Sequence, residues 1–383
     1  MHKRMTLGLA AALLAAVAGS AAESTVTTRP LWMRDVKISP DGTSIAFTYK
    51  GDIWVVPTQG GMARQLTATD YYETTPVWSP DGKNIAYACD RHGNLDVFMI
   101  DARGGRPQRL TSNSASETPE AFSPDGKSLY FSAAIQAPAT SAMFPTSRMT
   151  QLYKVAVTGG APVQVLGTPA QLMSWTDKEG KSFVYQDVKG FEDQWRKHHT
   201  SSVTRDLWLY DGATGRHTNL TNRAGEDRNP VVAGDRLYFL SEREGDNCIN
   251  VYTAPLSDVS KAQRITAFKG NPVRFLSRGA DGTLCFGYDG EIYTMKDTDK
   301  APRRVEVSLI DPDDPVAEKK NVSSGASSAA VAPDGKSVAF TYRGDVFVTS
   351  VEYTTTKQIT HTPEAEYGLC WAPDGKTLYY TSE

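Results

Sequence analysis

The sequence has little of what most catalytic and metal sites need. It contains no GxSxG nucleophile elbow and no DxDxDG calcium loop. Its only adjacent histidines, His198 and His199, would point to opposite faces of a strand. Four cysteines form no CxxC pair, which leaves a zinc site without support, and we expect buried free thiols at Cys89, Cys248, Cys285 and Cys370. The sequence therefore predicts no catalytic residue, no cofactor and no metal ligand, and leaves the substrate-binding residues unassigned.

Charge and long apolar runs are also scarce. The net charge is −3 and the pI about 6.1, which gives no electrostatic case for nucleic acid as a partner. The one apolar run, residues 5–18, follows three basic or polar residues and precedes small residues at 19–22. That order is typical of a secretory signal peptide, and the run is shorter than the ~20 residues a membrane span needs. We predict a signal peptide over 1–22, a periplasmic or secreted bacterial protein, and no membrane span after cleavage.

What the chain does contain is a recurring turn motif. Ser-Pro-Asp-Gly ends at Gly42, Gly82 and Gly126, and Ala-Pro-Asp-Gly ends at Gly335 and Gly375. Weaker copies end at Gly180, Gly234 and Gly282, so the spacing runs from 40 to 54 residues. Proline presets φ for a type I turn, aspartate tolerates the next position, and glycine supplies a positive φ. Such turns between alternating apolar residues predict hairpins.

Each copy of the motif belongs to a larger β unit. An acidic or polar residue precedes an aromatic strand, and most units close on a Leu-Thr or Ile-Thr pair. We predict equivalent strand positions for Trp54, Phe98, Trp208, Tyr252 and Tyr293. One four-stranded unit cannot bury both of its faces alone, whereas units stacked around an axis can. The pattern predicts an all-β fold, a six-bladed β-propeller. A linear β-solenoid or separate sandwiches are the alternatives.

The repeat also predicts the domain organisation. Six units fit within 30–308, and a Pro- and Asp-rich stretch then interrupts the pattern. We predict a six-bladed propeller over 30–308, a linker over 309–325, and the first blades of a second, truncated propeller over 326–383. Because two partial units cannot close a ring, we expect the chain to be a fragment. Two insertions, 133–149 and 189–205, outgrow the repeat, and their role is left open.

These residues resemble the amino-terminal region of tricorn-type serine peptidases, in their secreted bacterial branch. Residues 196–211, RKHHTSSVTRDLWLYD, are similar to the family's K-x-H/Y-x-S-S-x-x-R-D-I-W-x-Y-D segment. Residues 343–347 and 360–363 resemble the opening of the family's second propeller. The archaeal tricorn holds substrate carboxy termini with a basic pair on an early loop, but the corresponding loop here, 111–119, has no Arg or Lys.

The resemblance implies a function in proteolysis. Members carry a six-bladed propeller, a seven-bladed propeller, a PDZ-like module and a carboxy-terminal serine peptidase core. This region would then bind or sieve peptides or unfolded polypeptide segments, and serve as a scaffold for the peptidase domains. The parent protein would be a serine hydrolase, with no catalytic residue in this chain and its homo-oligomeric state open. The alternatives are a non-catalytic TolB-like periplasmic propeller that binds envelope proteins, and the propeller of a prolyl-oligopeptidase-type enzyme.

Overall fold

The predicted all-β fold is confirmed. The structure is a computed structural model, and it describes residues 25–27, 29–135, 149–191, 201–244, 248–311, 324–353 and 355–383. Within these residues its regular secondary structure consists of strands and one 3-10 helix, Val259–Lys261. The predicted signal peptide, most of both insertions and the His198–His199 pair lie outside the described residues.

Four antiparallel sheets of four strands each lie within 34–304, with their strands in chain order; we number them sheets 1, 2, 5 and 6. Sheet 1 contains Arg34–Ile38, Ser44–Tyr49, Asp52–Pro57 and Arg64–Gln65. Sheet 2 contains Glu73–Trp78, Asn84–Cys89, Asp96–Asp101 and Gln108–Arg109. Sheet 5 contains Asp227–Ala233, Arg236–Ser241, Asn250–Pro255 and Gln263–Arg264. Sheet 6 contains Arg274–Arg278, Leu284–Tyr288, Glu291–Met295 and Arg303–Arg304.

Sheets 3 and 4 share one long strand, Val163–Trp175. Its first part pairs with sheet 3 and its second part with sheet 4, because the register breaks along its length. Sheet 3 contains Glu117–Phe122, Ser128–Ala133, Gln151–Ala156 and the first part of that strand. Sheet 4 contains the second part with Phe183–Asp187, Leu207–Asp211 and Arg216–Asn219.

The six sheets form a closed ring. The first strand of each sheet packs against a neighbouring sheet, and the first strand of sheet 1 packs against sheet 6. The strand Val307–Asp311, which follows sheet 6, pairs antiparallel with Thr25–Thr27 and parallel with Gly61–Met62. Backbone hydrogen bonds therefore tie the carboxyl end of the ring to its amino end. The sequence pattern did not predict the strand Thr25–Thr27, which precedes the first repeat.

The predicted equivalence of the aromatic residues is confirmed. Each lies on the third strand of its sheet, directly opposite an aromatic residue of the second strand. The pairs are Phe47–Trp54, Tyr87–Phe98, Tyr185–Trp208, Phe239–Tyr252 and Phe286–Tyr293. Cross-strand aromatic pairs of this kind stabilise a sheet by up to ~1 kcal/mol each.

The repeated aspartates are turn residues, as the sequence predicts. In the first turn the Asp41 carboxylate accepts hydrogen bonds from the Ser39 hydroxyl (2.5 Å) and the Thr43 amide (3.0 Å). Gly42, with a φ of 78°, then closes the turn by donating its amide to the Ser39 carbonyl. The hydroxyl and amide bonds to aspartate recur around Asp81 and Asp125, so the motif's repetition reflects the fold rather than a ring of metal ligands.

Tryptophan indoles connect neighbouring sheets. The Trp78 Nε1–H of sheet 2 donates to the Lys37 carbonyl of sheet 1 at 2.9 Å, and the Trp175 Nε1–H of sheet 4 donates to the Phe122 carbonyl of sheet 3 at 2.7 Å.

The same bond occurs in the two sheets that follow the ring. Sheet 7 contains Ala326–Val331, Ser337–Tyr342, Asp345–Ser350 and Thr356–Gln358, and sheet 8 contains Glu366–Trp371 and Leu378–Ser382. The Trp371 Nε1–H of sheet 8 donates to the Ala330 carbonyl of sheet 7 at 3.1 Å. Sheets 7 and 8 thus reproduce the tryptophan contact between sheets 1 and 2.

The cysteine prediction holds for three of the four residues. Cys89, Cys248 and Cys285 are buried free thiols. The prediction is wrong for Cys370, which is free but exposed. It lies in sheet 8, where several large side chains, such as Tyr379 and Tyr380, are also exposed.

Ring closure can be tested at Gly60. A Cβ at Gly60 would lie 2.6 Å from the Glu306 carbonyl oxygen, next to the closing strand, whereas a Cβ at Gly93 would meet nothing within 4 Å. The two glycines have similar φ values, 93° and 98°, so an alanine is equally strained at either position. We expect Gly60→Ala to lower the free energy of unfolding by about 2 kcal/mol more than Gly93→Ala in urea titrations. Equal losses would contradict the closing contact.

Candidate functional site: the axial channel

A channel runs through the middle of the ring. One cavity of about 600 Å³, the polar chamber, is lined by residues from all six sheets. A more open cavity of about 720 Å³, the apolar chamber, lies on the side of the Pro40 and Pro80 turns. Lys37, Val77 and Glu120 line both cavities, so they mark the neck where the chambers meet.

The first strand of each of the six sheets lies next to the channel, and we call these six the inner strands. β-Bulges in the inner strands shape the polar chamber. In each inner strand, the pairing with the second strand of the same sheet shifts register after the first one to three paired residues. In five of the strands a non-glycine residue there has a left-handed φ of 46–58°: Asp35, Thr75, Leu172, Asn229 and Phe275. All five line the polar chamber. A bulge interrupts pairing and redirects a side chain, which here turns these five residues toward the channel.

The backbone amides at these bulges are held by the neighbouring sheet. The Leu172 amide donates to Glu120 Oε2 at 2.8 Å, and the Asn229 amide donates to Gln186 Oε1 at 3.2 Å. The Thr75 amide lies 3.4 Å from Asp35 Oδ2. Left-handed non-glycine backbone costs on the order of 1–3 kcal/mol and persists only when its surroundings enforce it. These bonds provide that constraint.

Charged groups in the polar chamber are mainly basic. Lys37, Arg205, Arg228 and Arg274 line it, against the carboxylates of Asp35 and Glu120. Arg205 is paired with Glu226 at 3.4 Å. Serine, threonine, glutamine and asparagine side chains supply most of the remaining polar lining.

The carboxylates of the polar chamber already accept hydrogen bonds from other groups of the protein. Asp35 Oδ2 accepts hydrogen bonds from the hydroxyls of Thr48 (3.3 Å) and Thr74 (2.8 Å). Burial raises the pKa of Glu120 to about 7, although the Ser132 hydroxyl, the Leu172 amide and the Lys37 ammonium act the other way. Near neutral pH, Glu120 is therefore only partly ionised.

Lys37 is the cation of the neck. Burial lowers the pKa of its ammonium, while nearby Glu120 and Asp35 act to raise it. Its side chain is half-buried, since it faces the channel, but it is surrounded by protein on its other sides.

The apolar chamber has a different character. Its lining includes Trp78, Phe122, Met173, Trp175 and Val231. Its charged residues are Arg278 and, at the neck, Lys37 and Glu120. Hydrogen-bonding and basic residues therefore predominate in the lining on one side of the neck, and apolar and aromatic residues on the other.

Comparison with known proteins identifies the family. The model of the tricorn protease N-terminal β-propeller domain matches residues 25–301. The chain belongs to the tricorn N-terminal propeller family. The predicted resemblance is thereby confirmed.

Individual relatives agree with this assignment. Tricorn protease homolog 1 of Streptomyces coelicolor is 29% identical over 277 residues, 70% of this chain and 24% of that protein. The tricorn protease of Thermoplasma acidophilum is 24% identical over 334 residues, 85% of this chain and 30% of that protein. A crystal structure of the tricorn protease superposes with a TM-score of 0.61 at 21% identity, covering 87% of this chain and 32% of the other. The tricorn-type chain thus spans about a quarter to a third of the length of these relatives.

Several segments singled out in the sequence border the polar chamber of the tricorn-type propeller. The 111–119 loop contributes Ser114, Ala115 and Ser116. Ala134, Thr150 and Arg205, at the described flanks of the two insertions, line it as well. Both insertions therefore begin or end beside the polar chamber.

The sequence reasoning missed the channel residues themselves. Three of them could have been found from their position in the repeat, because Asp35, Thr75 and Phe275 each lie seven residues before a turn glycine. Among the residues that the structure describes, no group of three or more His, Cys, Asp or Glu is placed to hold a metal ion. In the same part of the chain, no helix is long and apolar enough to cross a membrane.

The raised pKa of Glu120 predicts a pH effect on stability. A folded-state pKa of about 7, above the ordinary glutamate value of 4.5, means that the folded state holds this proton more tightly than the unfolded state. This stabilising contribution is present at pH 5 and is lost as the pH rises through about 7. We expect the Tm of the wild type to fall more between pH 5 and pH 8 than the Tm of Glu120→Gln. Exposed Glu179→Gln is the control, and an unchanged pH profile for Glu120→Gln would contradict the assignment.

Proposed function

We propose that this chain is the amino-terminal propeller region of an exported tricorn-type serine peptidase, in which it binds and sieves peptides and acts as a scaffold. The observation that carries the proposal is the axial channel with its polar chamber, formed in a chain that belongs to the tricorn propeller family. Serine, threonine and amide side chains in the chamber can bind the donors and acceptors of a peptide backbone without requiring one sequence.

The dimensions of the channel favour an extended chain over a folded partner. A cavity of about 600 Å³ is the size of a small-molecule or short-peptide site. A folded domain could contact the rim, but only an extended segment could occupy the neck between Lys37 and Glu120. This size limit is what would make the ring a sieve.

The partner that completes the activity would be a peptidase core. The names of the relatives, tricorn protease and tricorn protease homolog 1, describe proteases three to four times as long as the matched part. Peptide hydrolysis would therefore belong to residues outside this chain. We favour this function over the TolB-like scaffold because the tricorn family match covers 25–301.

Blocking the neck should abolish peptide binding. Val77 lines both chambers, so Val77→Trp would fill the neck with a bulky side chain. We expect its Kd for a labelled mixture of short unstructured peptides to rise at least about tenfold, a change of ~1.4 kcal/mol, in fluorescence anisotropy. Val163→Trp, at a position that is 55% exposed, is the matched control and should bind as the wild type does. Equal binding by both variants, with circular dichroism showing both folded, would refute binding in the channel.

The amino-terminal sequence supports export of the protein. Residues 5–18 are apolar and residues 19–22 are small, as signal peptidase substrates require. Expression of the tagged full chain in a Gram-negative host should yield periplasmic protein whose amino terminus, read by mass spectrometry, begins close to Glu23. Leu14→Arg should leave the uncleaved chain in the cytoplasm, because a charge disrupts the apolar run. Retention of Met1 in periplasmic protein would disprove cleavage.

A further inference from the structure

The Lys37 ammonium in the neck has no protein acceptor in the described part of the chain. No hydrogen bond or ion pair of its Nζ occurs there, although the Lys37 backbone carbonyl accepts the Trp78 indole. A cation that is removed from bulk water is normally compensated by a counter-ion or by hydrogen bonds. Lys37 instead presents its donor to the channel at the point where the two chambers meet.

The two nearby carboxylates do not supply the missing acceptor. Asp35 is engaged by the hydroxyls of Thr48 and Thr74, and Glu120 accepts the Leu172 amide at 2.8 Å. Neither lies within ion-pair distance of the Lys37 Nζ, although both act on it electrostatically. Glu120 is also only partly ionised near neutral pH, so it compensates the ammonium incompletely.

The surroundings of Lys37 add to the positive potential. Arg228 and Arg274 line the same polar chamber, as does Arg205, whose guanidinium is paired with Glu226 at 3.4 Å. A cleft with low-dielectric walls and charges mainly of one sign concentrates ligands of the opposite sign. The chamber thus combines a basic lining with one donor that has no partner of its own in the described residues.

We infer that the polar chamber is selective for acidic peptide segments, and that Lys37 donates a hydrogen bond to an aspartate or glutamate side chain of the bound peptide. This inference rests on the proposed peptide-binding function and specifies its substrate class. A peptide carboxylate beside Lys37 favours the charged form of this amine, whose pKa is lowered by burial. The resulting charge-assisted bond is about twice as strong as a bond to a neutral carbonyl. An acidic side chain therefore gains more at Lys37 than an amide side chain of the same shape.

A carboxylate could also come from the carboxy terminus of a peptide, so the experiment separates the two sources. Four labelled peptides of equal length are titrated against the purified chain by fluorescence anisotropy at low ionic strength, where screening is weak. Three are acetylated and amidated and differ only in carrying Asp and Glu, Asn and Gln, or Lys at the same positions. The fourth carries Asn and Gln with a free carboxy terminus.

We expect the acidic peptide to bind at least about tenfold more tightly than the amide peptide, and the Lys peptide to bind most weakly. Lys37→Met should remove most of the preference for acidic over amide peptide. Lys300→Met, which removes an exposed lysine outside the channel, should leave the preference unchanged. Lys37→Gln, which keeps a neutral donor, replaces the Met variant if circular dichroism shows that the latter is unfolded.

The other outcomes are decisive as well. Equal binding of acidic and amide peptides would overturn the inference and leave the proposed peptide-binding function intact. Tight binding of the free-carboxylate peptide alone would overturn it in favour of terminal recognition. A preference that survives both Lys37 variants would remove Lys37 from the site. No binding of any peptide would reject the proposed function and this inference together.

Discussion

The structure depends on closing the ring. A single four-stranded sheet of this chain leaves an apolar face uncovered, and each face is covered only by the next sheet around the axis. The last sheet can be covered only if it returns to the first, and Val307–Asp311 achieves this by pairing with Thr25–Thr27 and Gly61–Met62. These backbone pairs join ends of the ring that are far apart in the chain. The six inner strands surround a channel because of this closure.

The same inner strands connect packing to the proposed function. Their bulges hold Asp35, Thr75, Leu172, Asn229 and Phe275 in left-handed conformations that face the polar chamber. The amides released by the bulges bind side chains of the adjacent sheet, so the channel lining is fixed by contacts between sheets. The apolar cores between sheets stabilise the ring, while the bulges fix which side chains of the inner strands face the channel.

The repeated features were readable from the sequence, and the non-repeated ones were not. The turn at Ser39–Gly42 and the aromatic residue Trp54 recur with fixed chemistry, so hairpins and strand positions could be predicted. The strand Thr25–Thr27 could not be predicted, because it carries no repeat motif and its partner, Val307–Asp311, lies at the other end of the ring. Lys37 and Glu120 come to line the same neck only when the ring has formed, and the environment that alters their pKa values exists only then. The exposed position of Cys370 likewise depends on which sheets cover sheet 8 and not on its local sequence.

The most direct test of the account is a cross-link at the ring closure. Val26 and Ile310 are Cα partners of an antiparallel pair, and such partners lie about 4.5–5.5 Å apart, within the range that a disulfide spans. In a Cys370→Ser background, Val26→Cys with Ile310→Cys should oxidise to an intramolecular disulfide and raise the Tm. Thr25→Cys with Ile310→Cys, one residue out of register, should oxidise much more slowly. Failure of the in-register pair to cross-link, or equal oxidation of both pairs, would contradict a closed ring.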